Sequence, residues 1–153
     1  MSQKSRERRE QGQESQFLAM LANQAVKATE LPEQERQQVE TRWLATFAAL
    51  VKRQHGVWIY RRLKWHGFSY RIQPCLEGQE ALEKYSSQPS GTFYVFNEDM
   101  SCCWLCQSDP YPDFTSYHDD VYVAHHNMKW TMAFTHEQPQ IGPFFAERQS
   151  TGA

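Results

Sequence analysis

The spacing of the hydrophobic residues changes at Gly56, and this change constrains the fold more than any other feature of the chain. Before Gly56, apolar side chains recur every three or four positions, from Phe17 to Ala25 and from Val39 to Val51, which is the spacing of amphipathic helices. After Gly56, short aromatic and β-branched segments are separated by turn-forming residues, a pattern typical of β-strands. Helices followed by paired strands predict an α+β fold, with N-terminal helices packed on one face of a mostly antiparallel sheet.

The same pattern predicts the individual elements. One helix starts at Phe17, and a second begins near Pro32 and stops near Gly56, because proline suits a first helical turn and glycine suits a helix end. A short helix is predicted over 77–87. Strands are predicted at 57–63 and 68–74, on both sides of 97–99, at 121–126 and at 129–137, and a strand-like segment closes the chain at 139–147.

The 153-residue length is typical of one domain. Residues 1–16 have no apolar side chain after Met1, which predicts a flexible polar lead-in, and 17–149 are predicted to form a single α+β domain. The sequence contains no apolar run that could cross a membrane and no apolar signal core, so a cytoplasmic protein is expected. Four cysteines are then expected to be reduced thiols: Cys75, Cys102, Cys103 and Cys106.

Charge is distributed unevenly along the chain. Residues 1–74 hold 13 Lys and Arg against 7 Asp and Glu, whereas residues 75–153 hold 3 against 11. Between Lys84 and Lys129 there is no basic residue at all. An acidic field of this kind attracts basic partners and repels nucleic acid.

An acidic and aromatic loop at 109–117 is the strongest candidate for a binding surface. Carboxylates steer the encounter with a basic protein, and aromatic rings supply buried contact area. The alternative is an ordinary loop whose rings cap the sheet edge. The predicted partner-binding residues are Glu98, Asp99, Asp109, Tyr111, Asp113, Phe114, Tyr117, Asp119 and Asp120.

Segment 116–136 contains four histidines, which raises the alternative of a metal-dependent or Cys/His hydrolase using His118, His125 and His136. His125 and His126 are adjacent on a predicted strand and so point to opposite faces, which separates them as ligands. No metal-ligand spacing is present. We therefore predict no metal, no cofactor and no catalytic residue.

The remaining motifs favour structural roles. Cys103 and Cys106 face opposite sides of a predicted strand, so we expect buried thiols instead of a zinc or redox pair. No glycine-rich phosphate loop is present. Basic and aromatic residues mix at 52–64, and basic residues also occur at 4–9, as in RNA-binding segments. Alternation on strands more often produces a solvated face, so nucleic acid is not the expected partner.

Three segments resemble a mainly bacterial family of small proteins that is catalogued only as a domain of unknown function. They are RWLATFAA, WHGFSYRIQPCLEGQEALEKY and DDVYVAHHNMKWTMAFTHEQPQIGPFF, and the likeness spans roughly residues 43–145. Ala124 and His125 replace a usual Val-Asp, Met132 replaces an aromatic residue, and Phe144 replaces tyrosine. The resemblance implies an α+β fold and no established activity. The residues that match the family motif are Trp130, Thr135, His136, Glu137, Gly142, Pro143 and Phe145.

Together these features favour a small binding protein over an enzyme. The specific hypothesis is an immunity or inhibitor protein that neutralises a basic toxin, effector or nuclease domain through its acidic and aromatic surface. In this hypothesis the acids speed association and the rings slow release.

Overall fold

One antiparallel sheet of seven strands organises the computed structural model, which describes residues 15–149. The strands are β1 (Lys27–Glu30), β2 (Leu76–Glu77), β3 (Gly91–Asn97), β4 (Cys103–Ser108), β5 (Val121–His125), β6 (Trp130–Phe134) and β7 (Phe144–Glu147). Their order in the sheet is β1-β4-β3-β5-β6-β7-β2, and every neighbouring pair is antiparallel. The predicted α+β class is therefore confirmed.

The helices precede or interrupt the sheet as the sequence predicts. The long predicted helix is two helices that meet at Ala48 and end at Gly56, whose left-handed φ of 75° stops the second helix. No helix within residues 15–149 has the length and hydropathy of a membrane span. The described helices are α1 (residues 15–23), α2 (Glu33–Phe47), α3 (Ala49–His55), α4 (His66–Ser69) and α5 (Gln79–Ser86), with a 3₁₀ turn at Tyr60–Arg62.

Hydrophobic layers cover both faces of the sheet, so the prediction of helices on one face is wrong. One layer contains Phe17 of α1 and Tyr85 of α5, and the other contains Trp43 of α2 and Phe68 of α4. All five residues of β6 are buried, including Thr131, which accepts a hydrogen bond from the Trp43 indole at 2.9 Å. A strand that is buried on both faces loses the polar alternation of a half-exposed strand.

The segments at 57–63 and 68–74 are not strands, although their aromatic and β-branched composition predicted them. Arg61, Arg62 and Arg71 have positive φ angles, which no regular strand accommodates. Their backbone bonds are local, such as Ile72 N donating to Gly67 O at 3.0 Å. Residues 1–14 of the predicted lead-in lie outside the described residues, and residues 15 and 16 are helical.

Candidate functional site

Two strands end and the strand between them begins at one end of the sheet, and the loops beyond them carry a group of acids. Asn97 at the end of β3 pairs with Val121 at the start of β5, and Val121 pairs with Phe134 at the end of β6. We call this group the acidic end. It consists of the exposed Asp99, Asp119 and Glu137 with the partly buried Glu98 and the buried Asp120.

Asp120 organises one half of the acidic end. Its Oδ1 accepts hydrogen bonds at 2.9 Å from the Trp65 indole, from the His136 backbone N–H and from His136 Nδ1. The bond to Asp120 raises the pKa of the His136 imidazole above its ordinary value, because it stabilises the protonated ring. The Asp120 carboxylate thus fixes the orientation of a partly exposed imidazole.

A buried ion network forms the other half. The Lys64 side chain is 1% exposed, and its Nζ lies 2.9 Å from a Glu40 oxygen and 3.5 Å from a Glu98 oxygen. The Tyr122 hydroxyl and the Lys64 backbone N–H donate to the two oxygens of Glu98. Burial raises the pKa of Glu98 to about 6, although Lys64 and the Tyr122 hydrogen bond oppose the change.

Trp65 connects the two halves. Its indole N–H binds Asp120, and its backbone N–H donates to the Tyr122 hydroxyl at 3.1 Å. The segment just before α4 thereby fixes both carboxylates, although sequence reasoning assigned it no role. One usable signal was the Asp120-x-Tyr122 spacing, since residues two positions apart on a strand share a face.

A shallow cleft of about 440 Å³ opens beside the acidic end. Tyr70 is 49% exposed, and its ring lies 5.2 Å from the Arg61 guanidinium and 5.4 Å from the Tyr60 ring. Glu137 is exposed. The Glu77 carboxylate already has two partners, since one oxygen lies 3.6 Å from the Arg71 guanidinium and the other accepts a hydrogen bond from the Gly142 N–H at 3.1 Å. Carboxylates beside aromatic rings suit a cationic side chain. The lining residues are Trp65, His66, Ser69, Tyr70, Glu77, Glu137 and Ile141.

The three aromatic residues predicted to contact a partner lie in the core instead. Tyr111 is 8%, Phe114 0% and Tyr117 7% exposed. The loop folds onto the sheet, where the Phe17 ring of α1 lies 6.3 Å from Phe114 and 5.1 Å from Tyr117. Their assignment as exposed contacts is therefore corrected, because the sheet face beneath the loop offers more apolar contact than solvent does.

The predicted acids do not form one surface either. Asp109 follows Ser108, which pairs with Gly91 at the end of the sheet opposite the acidic end. Asp113 lies beside α1, where its backbone N–H donates to the Gln24 side chain at 2.6 Å. Of the six predicted acids, Glu98, Asp99, Asp119 and Asp120 come together.

The family-motif residues mainly build the turn that positions His136 and Glu137. Thr135 Oγ1 donates to the Ile141 carbonyl and accepts from the Glu137 N–H. Gly142 has a φ of +88°, and a Cβ there would lie 2.9 Å from Thr135 Cγ2. Pro143 O accepts from Gly78 N, and the Trp130 and Phe145 rings stack in the core at 5.8 Å.

The histidines and cysteines do not assemble into a metal or nucleophile site. Across residues 15–149, no three His, Cys, Asp or Glu side chains form a metal-binding group, so His118, His125 and His136 stay apart as ligands. The His125 and His126 rings lie 4.5 Å apart, although alternation predicted opposite directions. Burial raises the pKa of Cys75 to about 11 and that of Cys103 and Cys106 to about 12, which keeps these thiols protonated at neutral pH.

Comparison with known proteins gives a family and no activity. A family model described as a domain of unknown function (DUF4275) matches residues 15–145. A search of curated proteins found no match to the chain, and a search of solved structures found none either.

Proposed function

The chain belongs to the DUF4275 family, a domain of unknown function, and we propose that its acidic end binds a cationic protein. The specific form of this proposal is an immunity or inhibitor protein that covers the basic surface of a bacterial toxin or nuclease domain. The observation that carries it is the convergence of exposed carboxylates from three loops beside an aromatic cleft.

The exposed acids are held in place before a partner arrives. Asp99 Oδ1 accepts from the Ser101 N–H at 3.0 Å, and Asp119 Oδ1 accepts from the Asp120 N–H at 2.9 Å. These short local bonds reduce the side-chain entropy that binding would otherwise cost. A fixed acidic surface raises the rate of association with a basic partner.

The cleft supplies the aromatic contact area that the exposed charges alone do not provide. An exposed ion pair contributes roughly 0.2–1 kcal/mol, so three acids at the surface give speed and selectivity more than affinity. A lysine or arginine side chain of the partner would enter the cleft beside Glu137, where the Tyr70 ring already contacts one cation, Arg61. Tyr70 takes the contact role that sequence analysis gave to Tyr111, Phe114 and Tyr117.

The test compares three forms of the tagged chain in affinity capture from a lysate of its source. The first is wild type and the second is the triple variant Asp99→Asn, Asp119→Asn and Glu137→Gln. Asparagine keeps the side-chain oxygen that accepts the local hydrogen bonds and removes only the charge. The matched control removes three exposed acids elsewhere: Asp109→Asn, Glu80→Gln and Glu83→Gln.

We expect one basic protein to be retained by wild type and by the control, weakened by salt, and lost from the triple variant. Retention that is equal for all three forms, or the absence of any retained basic protein, would contradict the proposal. Because the control carries the same change in net charge, the comparison separates a local surface from overall charge.

The second candidate is a hydrolase, and one observation favours it. The Asp120 carboxylate orients His136 through Nδ1 and leaves Nε2 as the nitrogen that would accept a proton from water. Hydrolysis of p-nitrophenyl acetate by wild type and by His136→Gln tests this candidate. A rate that falls to the buffer level in the variant supports it, whereas equal rates remove it.

A further inference from the structure

A basic surface is formed by the end of α3, by the loop that follows it and by the segment after β7. Residues 41–76 contain seven Lys and Arg and no Asp or Glu; of these, Lys64 is buried in the ion network of the acidic end and Arg71 pairs with Glu77. α3 carries Lys52, Arg53 and His55 in its last turn. Arg148 follows β7, whose last residue Glu147 pairs with Trp130 at the edge of the sheet opposite the acidic end.

A groove of about 1030 Å³ runs between the α2–α3 junction and the segment after β7. Arg53 and Arg148 line it from two sides, and none of its described lining residues is acidic. Gln73 is 3% exposed and also lines the groove, and its carbonyl oxygen accepts from the Leu50 N–H at 2.9 Å. The groove therefore offers two guanidinium groups and amide donors to an anionic chain.

An exposed aromatic ring lies on the loop that follows α3, the helix that contributes Arg53 to the groove. Trp58 is 41% exposed, while the other four tryptophans are buried. Lys52 Nζ lies 5.8 Å from the centroid of the Trp58 ring, and Lys52 is the neighbour of Arg53 on α3. Arg61 lies 5.7 Å from the Tyr60 ring on the same loop and 5.2 Å from the Tyr70 ring of the acidic-end cleft.

The loop presents this ring and these charges in a fixed backbone conformation. Arg61 and Arg62 have φ angles of 54° and 87°, in the region that non-glycine residues rarely adopt. Such conformations persist only where surrounding contacts determine them, and they concentrate at functional sites. Alternation on strands, the reason for discounting RNA contact at 52–64, does not apply because the segment is not a strand.

We propose that this surface binds single-stranded nucleic acid, with phosphates in the groove at Arg53 and Arg148 and a base stacked on Trp58. A cationic groove beside an exposed ring is the arrangement by which proteins hold single strands without reading sequence. A groove accepts a flexible polyanionic chain more readily than the convex surface of a folded acidic protein. Duplex DNA hides its bases from Trp58 and therefore binds more weakly.

The experiment uses the full chain and a fluorescein-labelled oligouridylate of about 12 nucleotides, within the roughly 4–16 nucleotide range of comparable sites. Fluorescence anisotropy gives the affinity at several salt concentrations, and tryptophan fluorescence reports stacking on Trp58. The groove variant is Arg53→Ala with Arg148→Ala, and the ring variant is Trp58→Leu. The matched control, Lys27→Ala with Lys129→Ala, removes two exposed cations outside the groove.

Wild type and control should bind the oligonucleotide with the same salt dependence. The groove variant should bind more weakly, and its slope of log affinity against log salt should be shallower by about one to two. Trp58→Leu should lose the quenching of tryptophan fluorescence, since the remaining tryptophans are buried.

Three results would overturn the proposal. The first is no binding of the oligonucleotide, and the second is equal binding by wild type, groove variant and control. The third is binding of a polyglutamate peptide in place of the oligonucleotide, which would assign the surface to an acidic protein. None of these outcomes depends on the acidic end, because the groove variants leave Asp99, Asp119 and Glu137 in place.

Discussion

The partly buried carboxylate of Glu98 makes folding stability depend on pH in a direction opposite to that of most acids. Its pKa rises from 4.5 to about 6 because burial disfavours the charged form. The folded chain therefore binds a proton at Glu98 more tightly than the unfolded chain does. Stability from this group is present below the unfolded pKa and is lost as the pH rises through about 6.

The magnitude follows from the pKa difference. At 1.36 kcal/mol per pKa unit, ionised Glu98 costs the folded state about 2 kcal/mol. Glu98→Gln removes this titration. The free energy of unfolding of wild type minus that of the variant should therefore fall by about 2 kcal/mol between roughly pH 4 and pH 7.5. A pH-independent cost of the substitution shifts the whole curve and leaves this difference unchanged.

The assay is urea denaturation followed by tryptophan fluorescence at a series of pH values. Tyr122→Phe serves as an opposing control, because the Tyr122 hydrogen bond lowers the Glu98 pKa and its loss should steepen the pH dependence. Parallel curves for wild type and Glu98→Gln would refute the reasoning, since they would mean that Glu98 titrates alike in both states.

Three further predictions concern the same region and the buried thiols. Asp120→Asn keeps an acceptor for the Trp65 indole but removes the charge, so NMR titration should show a lower His136 pKa than in wild type. Gly142→Ala should destabilise the chain by more than about 1 kcal/mol in urea denaturation, because φ at this position is +88° and the added Cβ would lie 2.9 Å from Thr135 Cγ2. An unchanged denaturation midpoint would contradict this prediction. Buried Cys103 should react with Ellman's reagent at the rate of unfolding, and rapid reaction in the native state would contradict its burial.

The sequence predicts those helices and strands in which the spacing of the apolar residues follows from one face packing against the core. The Val39, Trp43 and Phe47 stripe faces the core, as expected for α2, and the turn between β3 and β4 lies where the chain contains Asn97 and Asp99. These local patterns suffice because each element buries the side that its own spacing marks.

The conformation of segment 57–74 and the burial of the aromatic rings in the loop at 109–117 could not be predicted from hydrophobic spacing. An aromatic residue can lie in a strand, anchor a loop on the core or remain exposed, and the outcome depends on which other parts of the chain pack against it. In this fold the Lys64 ammonium is buried by Glu40 and Glu98, which are distant in sequence. The same limit hides the burial of Phe114, since the sheet face that receives it is assembled from five different strands.

The net charge of −2 conceals a chain with an acidic end and a basic groove at opposite ends of one sheet. This separation explains why overall composition is a poor guide to the partner. Tyr70 lies in the cleft beside the acids, where it also contacts Arg61, and Trp58 lies on the loop that follows α3.

The most direct test of the acidic end is the association rate of the captured basic protein with wild type, with the acidic-end triple variant and with its matched control, measured against ionic strength. We expect an association rate that falls steeply with salt for wild type and for the control, and a slower, nearly salt-independent rate for the variant with Asp99→Asn, Asp119→Asn and Glu137→Gln. The same salt dependence in all three forms would show that the acidic end does not guide binding.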